Sequence, residues 1–198
     1  MKQIFTMDVE QDIFAARDFA KLLASHKIRG EFYITGKLAE QYPKICREIG
    51  KSHIIGCHAY NHENFARLSY EDAEFLIKKT IDAFKKNKIN LKGWRFPGFS
   101  FRNSHLKILV KHGLYDSSIN EKALRRWNRF FFIRNLLSNI KRGAFFLPVM
   151  FPKSLDERPW SVVDLNDKEF YTKPGRLVSH CYNYRSFKDE ITKYLNSN

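Results

Sequence analysis

Cysteine is scarce in this 198-residue chain: Cys46, Cys57 and Cys181 are the only three, and no two form a CxxC pair. An odd, sparse set argues against a disulfide framework and suits a reducing compartment. No apolar run reaches ~18 residues, the length a membrane-crossing helix needs, so no such helix is expected. The opening residues Met1 to Asp8 turn polar too soon for a secretory h-region, and the expected location is cytoplasmic. Internal repeats and low-complexity linkers are lacking. So is any zinc-finger, RRM or helix-turn-helix signature, which leaves nucleic acid without support as a partner. Acids are in the minority: 21 Asp and Glu stand against 35 Lys and Arg, a net charge of +14. That surplus favours anionic partners such as phosphate-bearing substrates or acidic lipid headgroups, and it does not set the fold.

What the chain does have is core-forming material. Hydrophobic residues make up 43% of it and 18 are Phe. The length suits a single domain over residues 1–198 with a substantial core. Strand and helix signals alternate along it. Ile4 to Met7 is a short apolar run that ends in acids, and Phe14, Ala15, Phe19, Leu22 and Leu23 follow at helical spacing. Glu31 to Thr35 reads as a strand, Pro43 opens a helical turn, and Ile54 to Cys57 forms a third strand. Ser69-Tyr70-Glu71-Asp72 has the form of a capping box ahead of a helical face. Strands are expected at Lys92 to Phe96, Leu114 to Ile119, Phe145 to Val149 and Leu177 to Cys181, with a closing helix from about Ser186. The rhythm predicts an α/β fold, a parallel sheet or barrel with its site at the C-terminal strand ends.

One stretch, around 121–143, breaks the pattern: Arg125 to Leu137 mixes Trp127, Phe130, Phe131 and Phe132 with four arginines. It reads as a helix packing its Phe face on the core, as an interfacial element on an anionic membrane, or as a grip on an anionic substrate.

Chemistry-bearing residues gather at the strand ends. Asp8 and Glu10 close the first strand, His58 and His62 follow the third, Arg95 and Gly98 follow the fourth, and His180 ends the last. A hydrolytic metal needs about three protein ligands and an open water position, and two His with one carboxylate meet that need. The HxxxH spacing places both rings on one side of a helical turn, though among seven His such a pair is a weak signal alone. A spare carboxylate could take the proton of a bound water, a separate His could protonate a leaving group, and an Arg could hold the base ionised. Asp12 reads as a helix N-cap, Trp94 and Tyr60 as packing residues and Cys57 as a core thiol, while His26, His53, His105 and His112 read as surface residues.

In order, these segments resemble the polysaccharide deacetylases of the NodB-homology type, carbohydrate esterase family 4. Thr6-Met7-Asp8-Val9-Glu10 is similar to the family's Asp-rich first motif, and His58-Ala59-Tyr60-Asn61-His62 to its HSxxH or HTxNH. Arg95-Phe96-Pro97-Gly98 is similar to RxPxG, Tyr115-Asp116-Ser117-Ser118 to its yDsS strand, and Leu177-Val178-Ser179-His180 to LxxH. The resemblance implies a distorted (β/α)7-type barrel with a divalent metal, zinc foremost, at its mouth. It further implies Asp8 as base, His58 and His62 as ligands, Arg95 paired with Asp8, Gly98 near the oxyanion and His180 as general acid. The family's second Asp is replaced here by Val9, which makes Glu10 the expected third ligand; the roles of Asp8 and Glu10 could be exchanged. In an extended strand Val9 points away from both acids, so that they share a face. Asp156, near Trp160, and Asp164 are loose candidates to orient His180.

The implied activity is metal-dependent hydrolysis of an N-acyl amide on an amino sugar, with a cytoplasmic, phosphate- or lipid-linked precursor of surface polysaccharide or lipopolysaccharide as substrate and peripheral membrane contact as an option. The alternatives are a deformylase of a lipid-linked amino sugar and a catalytically silent relative that only binds glycans or lipids.

Overall fold

A computed structural model of the protein describes residues 4–118 and 176–197. The expected strand at Phe145–Val149, the Arg125–Leu137 segment, Asp156, Trp160 and Asp164 lie outside the described residues. Six strands are described: β1 (Ile4–Val9), β2 (Glu31–Ile34), β3 (Ile54–Cys57), β4 (Leu91–Trp94), β5 (Tyr115–Asp116) and β6 (Arg176–His180). All pair in parallel, in the order β5-β4-β3-β2-β1-β6. Parallel neighbours need crossovers, and helices supply them: α1 (Ile13–Ser25), α2 (Gly36–Gln41), α3 (Pro43–Gly50), α4 (Tyr70–Lys86) and α5 (Asn103–Lys111), with α6 (Cys181–Ser197) after the last strand. Consistent with a sheet covered on both faces, every residue of β2 is buried.

The alternation in β1 sorts its two faces. Phe5, Met7 and Val9 join the hydrophobic core, where Phe5 meets Phe19 of α1 edge-on at 6.1 Å and Phe19 in turn meets Phe32 and Tyr184. Thr6 and Asp8 are buried on the opposite side, among polar partners. A second aromatic cluster, Phe65, Trp94, Phe96 and Phe101, packs at the other end of the sheet.

A single row of paired residues crosses all six strands: His180, Asp8, Tyr33, Gly56, Gly93 and Tyr115. A shift of register between Ile55 and Gly56 brings the two glycines opposite each other. A Cβ on Gly56 would run into the Tyr33 ring, and one on Gly93 into the Tyr115 ring. The glycines are needed because the two tyrosines lean inward over them until their hydroxyls stand 3.3 Å apart.

Several expected boundaries move. The closing helix begins at Cys181, directly after His180, rather than near Ser186. The N-cap reading of Asp12 holds, its Oδ1 accepting the Ala15 N–H at 2.9 Å. Ser69 caps α4 by accepting the Asp72 N–H at 3.0 Å. His53 and His105 are buried, not on the surface. His53 accepts the Gly30 N–H through Nδ1 and meets the Ala20 carbonyl through Nε2, while His105 accepts the Arg102 N–H. Among the described residues both rings bond to backbone groups, His53 through both nitrogens and His105 through Nδ1 alone. Burial accordingly pushes the pKa of His53 down and that of His105 down to about 4, with Arg102 adding to the latter.

Candidate metal centre and active site

Backbone bonds carry the sheet one residue past several strand ends and so fix the functional side chains. The His58 N–H donates to the Ile34 carbonyl at 3.0 Å, the Arg95 N–H to Cys57 at 2.8 Å, and the Ser117 N–H to Trp94 at 2.9 Å. From there the chain turns sharply at 58–62. The segment is not a helical turn, as the HxxxH spacing suggested. Ala59 and His62 both adopt left-handed backbone, with φ of 62° and 61°. Such angles are uncommon for residues bearing a Cβ. Here they are held by Glu63, whose Oε2 accepts the Tyr60 and Asn61 N–H groups, and by α2, whose Gly36 and Lys37 N–H groups donate to Ala59 and Tyr60.

The turn brings the two imidazoles together with their centroids 5.1 Å apart. Oε1 of Glu10 lies 3.4 Å from His58 Nε2 and 3.3 Å from His62 Nε2. All three ligand atoms fall within 4.8 Å of one another. Bonds of about 2.0–2.1 Å in a tetrahedron give edges of roughly 3.3 Å, so this donor set fits a zinc-sized cation. The tautomer agrees: His58 Nδ1 is 2.9 Å from the Arg95 carbonyl, which can only accept, so Nδ1 carries the proton and Nε2 keeps its lone pair. His58 is buried, Glu10 half-buried and His62 open to solvent, leaving one side of the centre accessible.

Beside this centre lies a buried ion pair. Arg95 Nη1 donates to Asp8 Oδ1 at 2.6 Å and to Thr6 Oγ1 at 3.1 Å. Its Nε donates to the Ser117 carbonyl and its Nη2 to the Ser117 hydroxyl, each at 2.9 Å, and the guanidinium lies 3.9 Å above the Tyr33 ring. Burial pulls against the charge of Arg95, yet Asp8 and, farther off, Glu31 raise its pKa on balance, so it stays a cation. Burial pushes Tyr33 well above the usual phenol range, and it remains neutral, donating to Glu31 Oε2 at 2.7 Å. Ser118 completes the frame: its hydroxyl accepts the Phe96 N–H at 2.8 Å and donates to Asp116 at 2.7 Å.

The structure thus brings Glu10, His58 and His62 into one cluster and places Asp8 on Arg95. It sets the backbone of His180 in register with Asp8 on the neighbouring strand. Gly98 lies in the short turn Pro97–Phe99, exposed, with φ of 56°. The sequence reading named Tyr115-Asp116-Ser117-Ser118 as a motif but gave it no task. Its task in the structure is to cage Arg95 and tie down Phe96.

The polysaccharide deacetylase family model matches residues 11–116, more than half of the chain. The chain belongs to the polysaccharide deacetylase family. The matched stretch holds His58, His62 and Arg95, while Asp8, Glu10 and His180 lie outside it. A peptidoglycan-N-acetylglucosamine deacetylase of Bacillus cereus is 30% identical over 82 residues, covering 41% of this chain and 30% of that protein. A family 4 carbohydrate esterase from Streptomyces lividans, solved with acetate, has a TM-score of 0.62 at 15% identity, covering 99% of this chain and 88% of the esterase. A carbohydrate esterase family 4 pseudoenzyme from Bacillus anthracis also has a TM-score of 0.62, at 16% identity, with 100% of this chain covering 62% of it. At such identities the likeness shows the fold alone, which is that of the NodB-like deacetylases. Among the described residues, no helix is long and apolar enough to cross a membrane.

Proposed function

We propose that this deacetylase-family chain hydrolyses an N-acyl amide on an amino sugar with the help of a divalent cation, zinc foremost, held by Glu10, His58 and His62. The observation that carries the reading is the adjacency of two arrangements: a three-donor cluster whose ligand atoms all lie within 4.8 Å of one another, and a carboxylate two residues earlier held by a caged arginine. The cation, when bound, supplies Lewis acidity toward a water and the acyl oxygen. The chain's own residues supply the rest. Asp8, held in place by Arg95, takes the proton of the attacking water. The backbone near Gly98 offers an N–H to the oxygen that gains charge. His180, in register with Asp8, gives its proton to the departing amine. The products are a free amino sugar and the carboxylic acid of the acyl group, acetate or formate.

The favoured substrate is a cytoplasmic precursor of a surface polysaccharide or lipopolysaccharide, phosphate- or lipid-linked. The chain's net charge of +14 and its buried free thiols Cys46 and Cys57 support that choice. Incubation of metal-loaded protein with acylated amino-sugar precursors, reading acetate and formate by mass, tests both the reaction and the acyl group. Metal-replete protein that releases neither acid from any of them would leave the silent, glycan-binding reading in its place.

A further inference from the structure

A cleft of about 460 Å³ opens directly beside Glu10 and His62, walled by Thr35 and by Lys37 and Gln41 of α2, with Gln11 and Asn61 at its rim. We propose that this cleft is a subsite for an anionic group, phosphoryl or carboxylate, borne by the acylated sugar, and that Lys37 is the residue that reads its charge. The proposal rests on the amidase reading above and adds the place and the residue that would recognise the substrate's charge.

Lys37 is exposed, and its backbone N–H is tied to the Tyr60 carbonyl at 2.9 Å, inside the turn that bears both histidines. Its root is therefore fixed relative to the metal centre. Among the described residues no carboxylate pairs with its ammonium, whereas Lys21 and Lys111 are paired with Glu48 and Glu74. Glu40, three residues on, accepts the Tyr60 hydroxyl at 2.8 Å, and Glu63 accepts two N–H groups of the histidine-bearing turn. Among the described residues the single acid lining the cleft is Glu10, which faces His58 and His62.

With a divalent cation on that triad, the wall is net positive, and the other polar side chains are neutral. The amides of Gln11, Gln41 and Asn61 can each donate N–H to an anionic oxygen. A neutral glycan would use those amides and leave the ammonium without a counter-charge. A phosphoryl or carboxylate oxygen uses both.

The test titrates the zinc-loaded full chain with N-acetylglucosamine 1-phosphate, N-acetylmuramic acid and N-acetylglucosamine, following binding by NMR. Lys37→Gln and Lys37→Arg are titrated alongside. The charged probes are expected to bind about tenfold more tightly than the neutral one, with the preference lost in Lys37→Gln and kept in Lys37→Arg. The phosphate and the muramic acid arms distinguish the two sources of charge. Equal affinity for charged and neutral probes, binding of none, or a preference that survives in Lys37→Gln overturns the subsite. Charge-selective binding without acid release keeps the subsite and sinks the amidase reading. Acid release from the neutral sugar without charge preference does the reverse.

Discussion

Arg95 is wholly buried and carries its charge among an acid, two hydroxyls, a carbonyl and the face of a tyrosine. Removing it would strand the Asp8 carboxylate in the interior. Arg95→Met is expected to lose about 3–5 kcal/mol of stability by denaturant unfolding. Ser117→Ala is milder: the Nη2 donor loses its acceptor at a cost of about 1–3 kcal/mol, and acid release falls because Asp8 is less firmly held. Under the proposed roles, variants at the ligands and at the base should separate. His62→Ala should lower zinc affinity by at least ~100-fold in a competition assay, beyond the ~10–100-fold typical of outer partners. Asp8→Asn should keep the metal and lose turnover. Full activity in either variant would rule out the assigned roles.

At the scale of elements, what could be read beforehand was whatever local chemistry dictates. Asp12 and Ser69 cap their helices because their side chains reach N–H groups only three residues away. Asp8, His58, Arg95 and His180 were named as candidates because each stands at a strand end. The shape of the 58–62 turn was not readable, since two positive φ angles at Ala and His follow from bonds to α2 and Glu63 rather than from local preference. His53 and His105 were misplaced for a related reason: the Gly30 and Ala20 groups that satisfy His53 lie 23 and 33 residues away, and His105 bonds backbone at the start of its own helix. Their burial has a pH consequence. Both rings bind protons more weakly folded than unfolded, so their contribution is present above about pH 6.5 and is lost as pH falls. For His105 the loss runs from about 6.5 down to about 4 and amounts to roughly 3 kcal/mol. Thermal unfolding of metal-free protein across that range should show the decline, and His105→Phe should flatten it.

At the scale of the molecule, the alternation of strands and helices was enough to foresee a parallel α/β sheet, because a period of two and a period near 3.6 are written locally. The strand order and the row from His180 to Tyr115 were not, because they depend on which residues meet across strands far apart in the chain. Gly93→Ala tests that row. The added methyl has to displace the Tyr115 ring, at a cost of about 1–3 kcal/mol measured by chemical denaturation. A variant as stable as the parent would mean the ring is free to move.

The same row ties variation at one position to variation at another. Gly56 can gain a side chain only if Tyr33 shrinks, and Gly93 only if Tyr115 does, so each pair is expected to change together or not at all among related sequences. Tyr33 is also the shelf on which the Arg95 guanidinium rests. The emptiness of one backbone position on β3 therefore sets the height of an arginine on the neighbouring strand's far end, and with it the position of the carboxylate that the arginine grips.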